Sequence, residues 1–351
     1  MRIMLLALLL AFLAVGVSAC GSGDDQSAEP TESPGPATAD EAREGGGEGE
    51  GERASNPAQL EQAQKLFERT GLTTDPSNSS IDLSQLIGGG PPKDGIPALT
   101  NPGYVTGDEA PEAGDVRGLL VDFEGEQRFY PFNIMVWHEV VNDSIGDVHY
   151  AVTFCPLCGS GIVFDRDLGG EVVEFGASGL LWKSNLVMYD RGTESLWSQT
   201  SGEAIVGPFT GTRLELLPVQ LLTMEQVREG YPDALVLSRQ TGHNRGYERN
   251  PYGDYDTSER LLFPVGDQDD RFFAKERFWV FWAGETSVAF PMERLGDKPR
   301  TTTIAGHEIE ARSDGGSIDV TVDGRAVPGY VEMWFSWIST HTDDGFVWNL
   351  E

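Results

Sequence analysis

The 351-residue sequence has little cysteine and little positive charge. Its three cysteines, Cys20, Cys155 and Cys158, are too few for a scaffold of several disulfides or for a four-cysteine metal ribbon. Only 25 lysines and arginines stand against 56 acidic residues, which gives a formal net charge of −31. The ten acids and three arginines of residues 1–53 contribute −7, so −24 falls on residues 54–351. Because binding to phosphate backbones needs a basic surface, the composition excludes nucleic acid as a partner.

Several enzyme signatures are also missing. The sequence has no G-x-S-x-G elbow, no phosphate-binding loop and no dinucleotide fingerprint. No histidine follows the second cysteine of C-x-x-C, as covalent haem attachment requires. Catalytic residues are therefore unknown at this stage, and whether the protein is an enzyme stays open.

The N-terminus has the composition of an export signal. Arg2 precedes an apolar run that is too short for a membrane-spanning helix. The ending VSAC resembles a bacterial lipobox, which predicts a signal peptide over residues 1–19 and attachment of a palmitate-type lipid to Cys20. An ordinary secretory signal cut nearby is the alternative. Residues 20–55, rich in Gly, Pro, Ser and Glu, predict a disordered acidic linker. We therefore expect an extracytoplasmic protein, lipid-anchored to the cell membrane or cell envelope.

Beyond this linker the pattern is mainly β, in a β-rich α+β arrangement. NPAQLEQAQKLFERTG predicts a helix that is capped by Asn56, has Pro57 at its first position and ends at Gly71. Residues 88–103 are too rich in Pro and Gly for a regular element. Short apolar runs with turn signals at close spacing, such as VRGLLVDFEGEQRFYPF, predict short antiparallel strands with a few peripheral helices.

The sequence also contains a weak internal repeat. Residues 116–135 and 276–295 share a strand, a turn of Gly and Glu, a second strand and an aromatic–Pro step. This predicts a diverged tandem duplication, with chance similarity between amphipathic hairpins as the alternative. We predict one domain with the CPLC motif over 56–265 and a β-rich C-terminal part over 266–351.

The stretch YAVTFCPLCGSGIVFDR places Cys155 and Cys158 between two predicted strands. A thioredoxin-like redox pair needs a helix after the motif, whereas GSGIVF predicts a strand, which disfavours that hypothesis. Cys-Pro-x-Cys-Gly is typical of a metal knuckle, in which Pro fixes the turn and Gly permits positive φ. One knuckle supplies two ligands, so the others must be His, Met, Asp or water. An inert disulfide, favoured by an oxidising compartment, is the third hypothesis.

His138 is the best candidate for a third metal ligand. It ends an apolar segment at a distance from the cysteines that a hairpin can close, and Met188 is a candidate soft fourth ligand. His243 is a looser candidate. Such a set suits copper as Cu(I), and with a water in place of Met it suits zinc. A satisfied core histidine and a packing methionine are the alternatives.

Other polar residues are candidates for a pocket. Glu139, Asn142 and Asp143 lie beside the histidine and have side chains suited to acid–base chemistry. Arg249 and Tyr252 belong to the polar, aromatic loop RGYERNPYGDY. The alternatives are a strand end that closes a turn and a loop that satisfies its own polar groups.

Several long motifs together resemble a known family. GGGPPKDGIPAL, WHEVVND, TFCPLCGSGIVFDR, FGASGLLWKSNLVMYDRGTESLWSQTSGEAIVGP and YERNPYGDY occur in that order and closely resemble the prokaryotic family catalogued as domain of unknown function 3179, over about residues 86–265. The resemblance implies exported or lipoprotein-anchored proteins and no established activity. It implies that the characteristic residues are Lys93, Asp94, His138, Glu139, Asn142, Asp143, Cys155, Cys158, Ser178, Met188, Asp190, Arg191 and Trp197. Asp94 therefore joins the pocket candidates.

These observations lead to one preferred function and one alternative. We predict a membrane-tethered, extracytoplasmic protein that binds a soft or borderline transition metal, copper or zinc, through His138, Cys155, Cys158 and Met188. The alternative is a non-catalytic cell-surface module with a structural disulfide. The sequence does not identify the protein or small molecule that would be its partner.

Overall fold

The computed structural model describes residues 56–265, 269–342 and 344–350. The predicted signal peptide, the lipidation site at Cys20 and the linker lie outside the described residues. The described chain is mainly β, as the sequence predicts, and none of its helices is long and apolar enough to cross a membrane. Its α-helices are α1 (Pro57–Thr70), α2 (Phe132–Met135), α3 (Met224–Gly230) and α4 (Trp334–Thr340).

Helix α1 begins and ends where the sequence predicts. The Asn56 side chain accepts the N–H of Ala58 at 2.8 Å, and the Gln59 side chain accepts the N–H of Asn56 at 3.3 Å. Gly71 ends the helix with φ 89, a left-handed conformation that glycine adopts without strain. The apolar stripe around Phe67 packs on the first sheet.

The described strands form four sheets. The first sheet contains, in spatial order, β1 (Leu86–Gly88), β9 (Phe175–Trp182), β10 (Asn185–Asp190), β11 (Leu196–Ser198) and β12 (Ala204–Val206). The second contains β13 (Gln220–Thr223), β4 (Arg117–Phe123), β5 (Glu126–Pro131), β14 (Leu235–Leu237) and β3 (Tyr104–Thr106). The third contains β2 (Leu99–Thr100), β6 (Val140–Ile145), β7 (Val148–Cys155), β8 (Ser160–Asp165), β21 (Gly329–Met333), β15 (Arg277–Ala283), β16 (Thr286–Pro291) and β22 (Gly345–Val347). The fourth contains β17 (Arg300–Ile304), β18 (His307–Asp314), β19 (Ser317–Val322) and β20 (Arg325–Val327).

The eight-stranded third sheet is the middle layer of the molecule. Alternate residues of β7 point to opposite faces, so Val152 packs into one core with the second and fourth sheets, and Ala151 packs into another with the first sheet. Cys155 and Cys158 belong to the core that the first sheet covers. The motif is therefore enclosed between two layers.

The weak internal repeat of the sequence corresponds to a repeated topology. Hairpin β4–β5 is followed by α2, and hairpin β15–β16 is followed by a short 3₁₀ turn, Met292–Arg294. In the first unit β13 pairs antiparallel with β4, and β14 pairs parallel with β5. In the second unit β21 pairs antiparallel with β15, and β22 pairs parallel with β16. Helices α3 and α4 each connect the two added strands, so we call these units the first and second repeat.

The two repeats do not form separate folding units. The third sheet combines strands from before residue 265 with all four strands of the second repeat. The described residues also belong to one compact unit. The predicted boundary at 265 therefore falls in an irregular segment between strands that build a common core.

Candidate functional site

The CPLC motif forms the turn that joins β7 to β8. Cys155 ends β7, and the N–H of Cys158 donates to the Cys155 carbonyl at 3.2 Å. Gly159 follows with φ 55, and a Cβ at this position would lie 2.9 Å from Cε of Met333 on β21. Ser160 then begins β8, so a strand follows the motif, as the sequence predicts. Both thiols are free and buried, with the cysteines 1% and 0% exposed.

The two thiols differ in their hydrogen bonds. Burial by itself would raise the pKa of Cys155. Hydrogen bonds from the Cys158 thiol and from the backbone N–H groups of Cys158, Leu186 and Leu157 outweigh burial and bring that pKa below its ordinary value. Burial and the Cys155 sulfur raise the pKa of Cys158, whose Sγ also lies 3.1 Å from the Ser184 carbonyl. Cys155 is therefore the sulfur that first becomes a thiolate.

Glu139 approaches the thiols from the start of the β6–β7 hairpin. Its carbonyl accepts the N–H of Phe154 at 2.8 Å, which keeps the two strands of the hairpin paired next to Cys155. Its φ of 59 is unusual for a residue with a Cβ. Burial, followed by the charge of Cys155, raises the pKa of Glu139 well above its ordinary value. The group beside the sulfur is therefore a carboxylic acid.

Two tyrosines of residues 247–265, which we call the covering segment, complete the surroundings of the thiols. Burial raises the pKa of Tyr252, and negative charge on Glu139 or Cys155 would raise it further. Burial and the charges of Cys158 and Cys155 do the same for Tyr255, which is 1% exposed. Both rings therefore stay neutral phenols close to the sulfurs.

A buried lysine holds this covering segment in place. The Nζ of Lys275 donates to the carbonyl of Arg260 at 2.6 Å, to that of Ser258 at 2.7 Å and to that of Tyr255. The ammonium also lies 3.6 Å from the centroid of the Tyr255 ring. One side chain just before β15 thus fixes residues 255–260, which form neither a helix nor a strand.

His138 makes its contacts away from the thiols. Its Nδ1 lies 2.8 Å from the Pro97 carbonyl, and its Nε2 lies 2.8 Å from the Tyr247 hydroxyl. Burial lowers the pKa of His138 to about 4, so the ring is neutral, with Nδ1–H as donor and Nε2 as acceptor. The ring centroid of His243 is 5.4 Å away. These contacts match the satisfied core histidine that we considered as the alternative.

No complete ligand set for a metal is found in the described part of the chain. In residues 56–265, 269–342 and 344–350, no group of three or more His, Cys, Asp or Glu side chains is arranged to hold an ion. Met188 is 0% exposed in β10, where it faces Trp197 of β11, and packs in the same core as the cysteines. Binding of copper or zinc therefore stays a prediction.

Two pocket candidates have structural roles. Asn142 accepts the N–H of Phe175 at 2.8 Å and donates to the Phe175 carbonyl at 2.8 Å, which joins the first and third sheets. Asp143 pairs with Arg128 at 2.8 Å and accepts the hydroxyl of Tyr130 at 2.7 Å. Asn142 and Asp143 are buried, and neither is among the neighbours of the thiols.

Asp94 also lies apart from the thiols. It accepts the hydroxyl of Tyr189 at 2.6 Å and binds Arg191 through both carboxylate oxygens, at 3.0 and 3.1 Å. This half-exposed ion pair fixes the loop before β2 to the first sheet. Of the predicted pocket residues, the structure therefore brings Glu139 and Tyr252 to the cysteines, and Arg249 to a cavity next to them.

The second repeat contributes a buried carboxyl that sequence patterns did not reveal. Glu332 on β21 is 0% exposed and accepts the hydroxyl of Ser336 at 2.5 Å and that of Thr200 at 2.9 Å. Burial raises the pKa of Glu332 to about 7, although the hydroxyls and His341 oppose that effect. The Ser336 hydroxyl also lowers the pKa of Cys158. One hydroxyl thus acts on both Cys158 and a second acidic group.

Glu332 occupies a position at which the first repeat has an apolar residue. Glu332 lies opposite the second residue of β15, and the equivalent residue of the first repeat, opposite the second residue of β4, is Leu222. An apolar side chain therefore fits the repeated packing. Alignment of the two repeats is the signal that could have singled out Glu332 from the sequence.

Two cavities adjoin the CPLC turn. One, of about 280 Å³, is lined by Pro156 and Gly159 of the turn and by both Tyr252 and Tyr255. The other, of about 260 Å³, is mostly apolar and is lined by Leu157, Glu139 and Tyr252. Tyr252 lines both cavities. The CPLC turn therefore borders one cavity through Pro156 and Gly159 and another through Leu157.

The fold and the site define a mainly β protein with a buried, asymmetric dithiol. Over residues 93–328 the sequence matches the family described as a protein of unknown function (DUF3179). This match covers more than half of the chain, which belongs to that family, and it extends past residue 265 into the second repeat. No curated protein and no solved structure matches the chain.

Proposed function

We propose that this protein carries out thiol–disulfide exchange through Cys155 and Cys158. The supporting observation is the asymmetry of the pair: Cys155 accepts several hydrogen bonds that favour a thiolate, whereas Cys158 is a donor with a raised pKa. A thiolate is the attacking species in exchange, and a second thiol at this spacing resolves the mixed disulfide. The motif is followed by a strand, so backbone N–H groups of the turn replace the helix dipole.

The exchange consists of two displacements. The Cys155 thiolate attacks one sulfur of a substrate disulfide, the substrate S–S bond breaks, and one substrate thiolate leaves. Cys158 then attacks the Cys155 sulfur, and the second substrate thiolate leaves. The substrate gains two electrons, and the protein is left with a Cys155–Cys158 disulfide. The same steps in reverse oxidise a dithiol.

Two carboxyl groups are placed to move the protons. Glu139, held protonated beside Cys155, can donate to the departing substrate thiolate. Glu332 can accept the proton of Cys158 through the Ser336 hydroxyl when Cys158 attacks. Thr200, the other partner of Glu332, borders a third cavity of about 500 Å³. Each sulfur therefore has its own acid–base partner.

We further propose that the centre works outside the cytoplasm on a lipid tether. The VSAC ending before Cys20 and the acidic composition of residues 20–55 support this placement. A cell-surface dithiol in an oxidising compartment needs a thiol or disulfide partner to return it to its starting state. Burial of both sulfurs limits adventitious oxidation until a substrate displaces the covering segment.

The experiment is to trap the mixed disulfide. The reduced chain, with Cys20→Ser in every sample, is mixed with dithiodipyridine, a neutral disulfide, and the products are identified by mass spectrometry. The unsubstituted pair releases two equivalents of pyridinethione and ends as an internal disulfide. Cys158→Ser accumulates a stable adduct on Cys155 and releases one equivalent. Cys155→Ser, its matched control, reacts far more slowly.

Other outcomes separate the alternatives. Near-stoichiometric copper or zinc in the chain purified without added metal, with both thiols protected, would support the metal site instead. A Cys155–Cys158 disulfide that resists strong reductants would support the structural module. Equal reaction of the Cys155→Ser and Cys158→Ser variants would refute the exchange mechanism, because it would remove the assigned order of attack.

A further inference from the structure

One arginine from each repeat lines the 280 Å³ cavity beside the CPLC turn. Arg117 begins β4 opposite Thr223, and Arg277 begins β15 opposite Met333, so the two occupy equivalent positions. Burial lowers the pKa of Arg277, and the charge of Arg117 lowers it further, while Asp256 and Glu293 oppose these effects. Two guanidinium groups thus line one space between the repeats.

A third arginine reaches the same cavity from the covering segment. Arg249 lines it next to Tyr252. Among the residues that the structure describes, neither Arg117 nor Arg249 makes an ion pair within 4.0 Å. Residues 54–351 carry a net charge of −24, so three arginines around one cavity stand out against their surroundings.

The carboxylates of this cavity leave the arginines largely unneutralised. Glu248 pairs with Arg239 at 3.0 Å. Asp256 is 3.7 Å from Arg277, longer than a good charge-assisted hydrogen bond. Asp115 is an exposed residue at the rim. None of these acids forms the close, two-oxygen contact that a guanidinium makes with a well-placed carboxylate.

One neutral polar group of the cavity also has unused hydrogen-bonding capacity. Tyr255 is 1% exposed, and its hydroxyl proton has no acceptor in the described part of the protein, although the N–H of Leu262 points toward its oxygen. An unused donor in a cavity that three arginines line matches an anionic oxygen.

We propose that this cavity binds the carboxylate of a small thiol or disulfide and presents its sulfur to the CPLC turn. The proposal rests on the exchange function, for which it names the substrate class. Arg117 and Arg277 bind the carboxylate from the two repeats, and Arg249 closes over it. Tyr255 donates its hydroxyl to the same group. A volume of about 280 Å³ suits a small molecule and excludes a folded protein.

The test compares two probes of similar length and opposite charge. Dithiodiglycolate carries two carboxylates, and cystamine carries two ammonium groups. The rate of exchange with the reduced chain, again with Cys20→Ser, is measured for each probe at one low ionic strength. The overall negative charge by itself favours the cationic probe. The proposal predicts that the anionic probe reacts faster.

Arginine variants show where the preference arises. Arg249→Gln and Arg277→Gln each lower the ratio of anionic to cationic rates by about tenfold, since each removes a charge-assisted contact. Arg312→Gln removes the same charge from an exposed site on the fourth sheet and changes the ratio by less than about twofold. Arg249 is exposed, so its variant keeps the fold even if the partly buried Arg277 variant does not.

Binding without chemistry separates the two proposals. A Cys155→Ser, Cys158→Ser chain is titrated with dithiodiglycolate by calorimetry, with and without Arg249→Gln. Arginine-dependent binding supports the cavity even if the intact chain exchanges no disulfide, a result that refutes only the exchange function. Exchange that favours cystamine, or a rate ratio unchanged by the arginine variants, overturns the inference and leaves the exchange function standing.

Discussion

The buried carboxyl of Glu332 makes folding stability depend on pH in a way that one substitution removes. In the folded chain burial raises the pKa of Glu332 to about 7, against an ordinary value of 4.5. Below about pH 4.5 the group is protonated whether the chain is folded or unfolded, and no penalty arises. As pH rises toward 7 the unfolded chain ionises while the folded chain stays protonated, so stability falls. Above pH 7 the penalty is constant.

The size of the effect follows from the two pKa values. At about 1.4 kcal/mol for each pH unit between them, the penalty reaches at most about 3 kcal/mol. Glu332→Gln keeps the shape and stays neutral at every pH. Loss or gain of hydrogen bonds to Ser336 and Thr200 adds an offset that is similar at all pH values.

The assay is urea unfolding of both chains at pH 5 and pH 8, with stabilities from linear extrapolation. We expect the difference in unfolding free energy between Glu332→Gln and the parent chain to shift by about 2.5 kcal/mol in favour of Gln between pH 5 and pH 8, because part of the penalty is already present at pH 5. The groups that face Glu332 are Ser336, Thr200, Tyr330, Cys158 and His341.

Because His341 is charged only when protonated, the same comparison is repeated with His341→Gln in both chains. Glu229→Gln, an exposed change on α3, serves as the control that removes a carboxyl outside the core. A difference that does not change with pH for Glu332→Gln would refute the assigned protonation of this carboxyl.

Three further predictions concern packing around the site. Gly159→Ala destabilises the fold by about 3 kcal/mol, because it combines positive φ with a clash against Met333; the same change costs less in urea unfolding when both chains carry Met333→Ala, and an equal cost would assign the whole effect to the backbone. Asp143→Asn costs about 2 kcal/mol, because it removes the charge of the buried carboxylate that pairs with Arg128, which keeps Glu126 as its other partner; an unchanged unfolding midpoint would show that this ion pair adds nothing to the tyrosine hydrogen bonds. Lys275→Met loosens the covering segment and speeds reaction of the thiols with dithiodipyridine on the order of tenfold; an unchanged rate would mean that this segment does not limit access.

Local patterns predicted the elements that local interactions determine. The caps of α1 at Asn56 and Gly71 are read directly from the sequence because capping involves neighbouring residues. The strand after the CPLC motif follows from its β-branched residues. The hairpins of the two repeats also agree with the alternation of apolar residues and their turn signals.

The site itself depended on features that no local pattern encodes. His138 and Glu139 are adjacent, but the left-handed backbone at Glu139 directs the acid to the thiols, whereas the imidazole reaches Pro97 and Tyr247. A positive φ at a non-glycine residue is set by tertiary packing. Sequence patterns therefore could not show which of the two side chains reaches the thiols, and we predicted His138 because histidine is a common metal ligand. Glu332 comes from a distant strand through pairing within the third sheet.

The most direct test of the account is a pH titration of thiolate absorbance in the ultraviolet, with Cys20→Ser in every chain. We predict that the intact pair yields one thiolate with a midpoint below pH 9, that Cys155→Ser abolishes this signal, and that Cys158→Ala keeps it at a higher midpoint because one donor is lost. A signal that persists in Cys155→Ser, or no thiolate below pH 9 in the reduced intact pair, would contradict the assignment of Cys155 as the reactive sulfur.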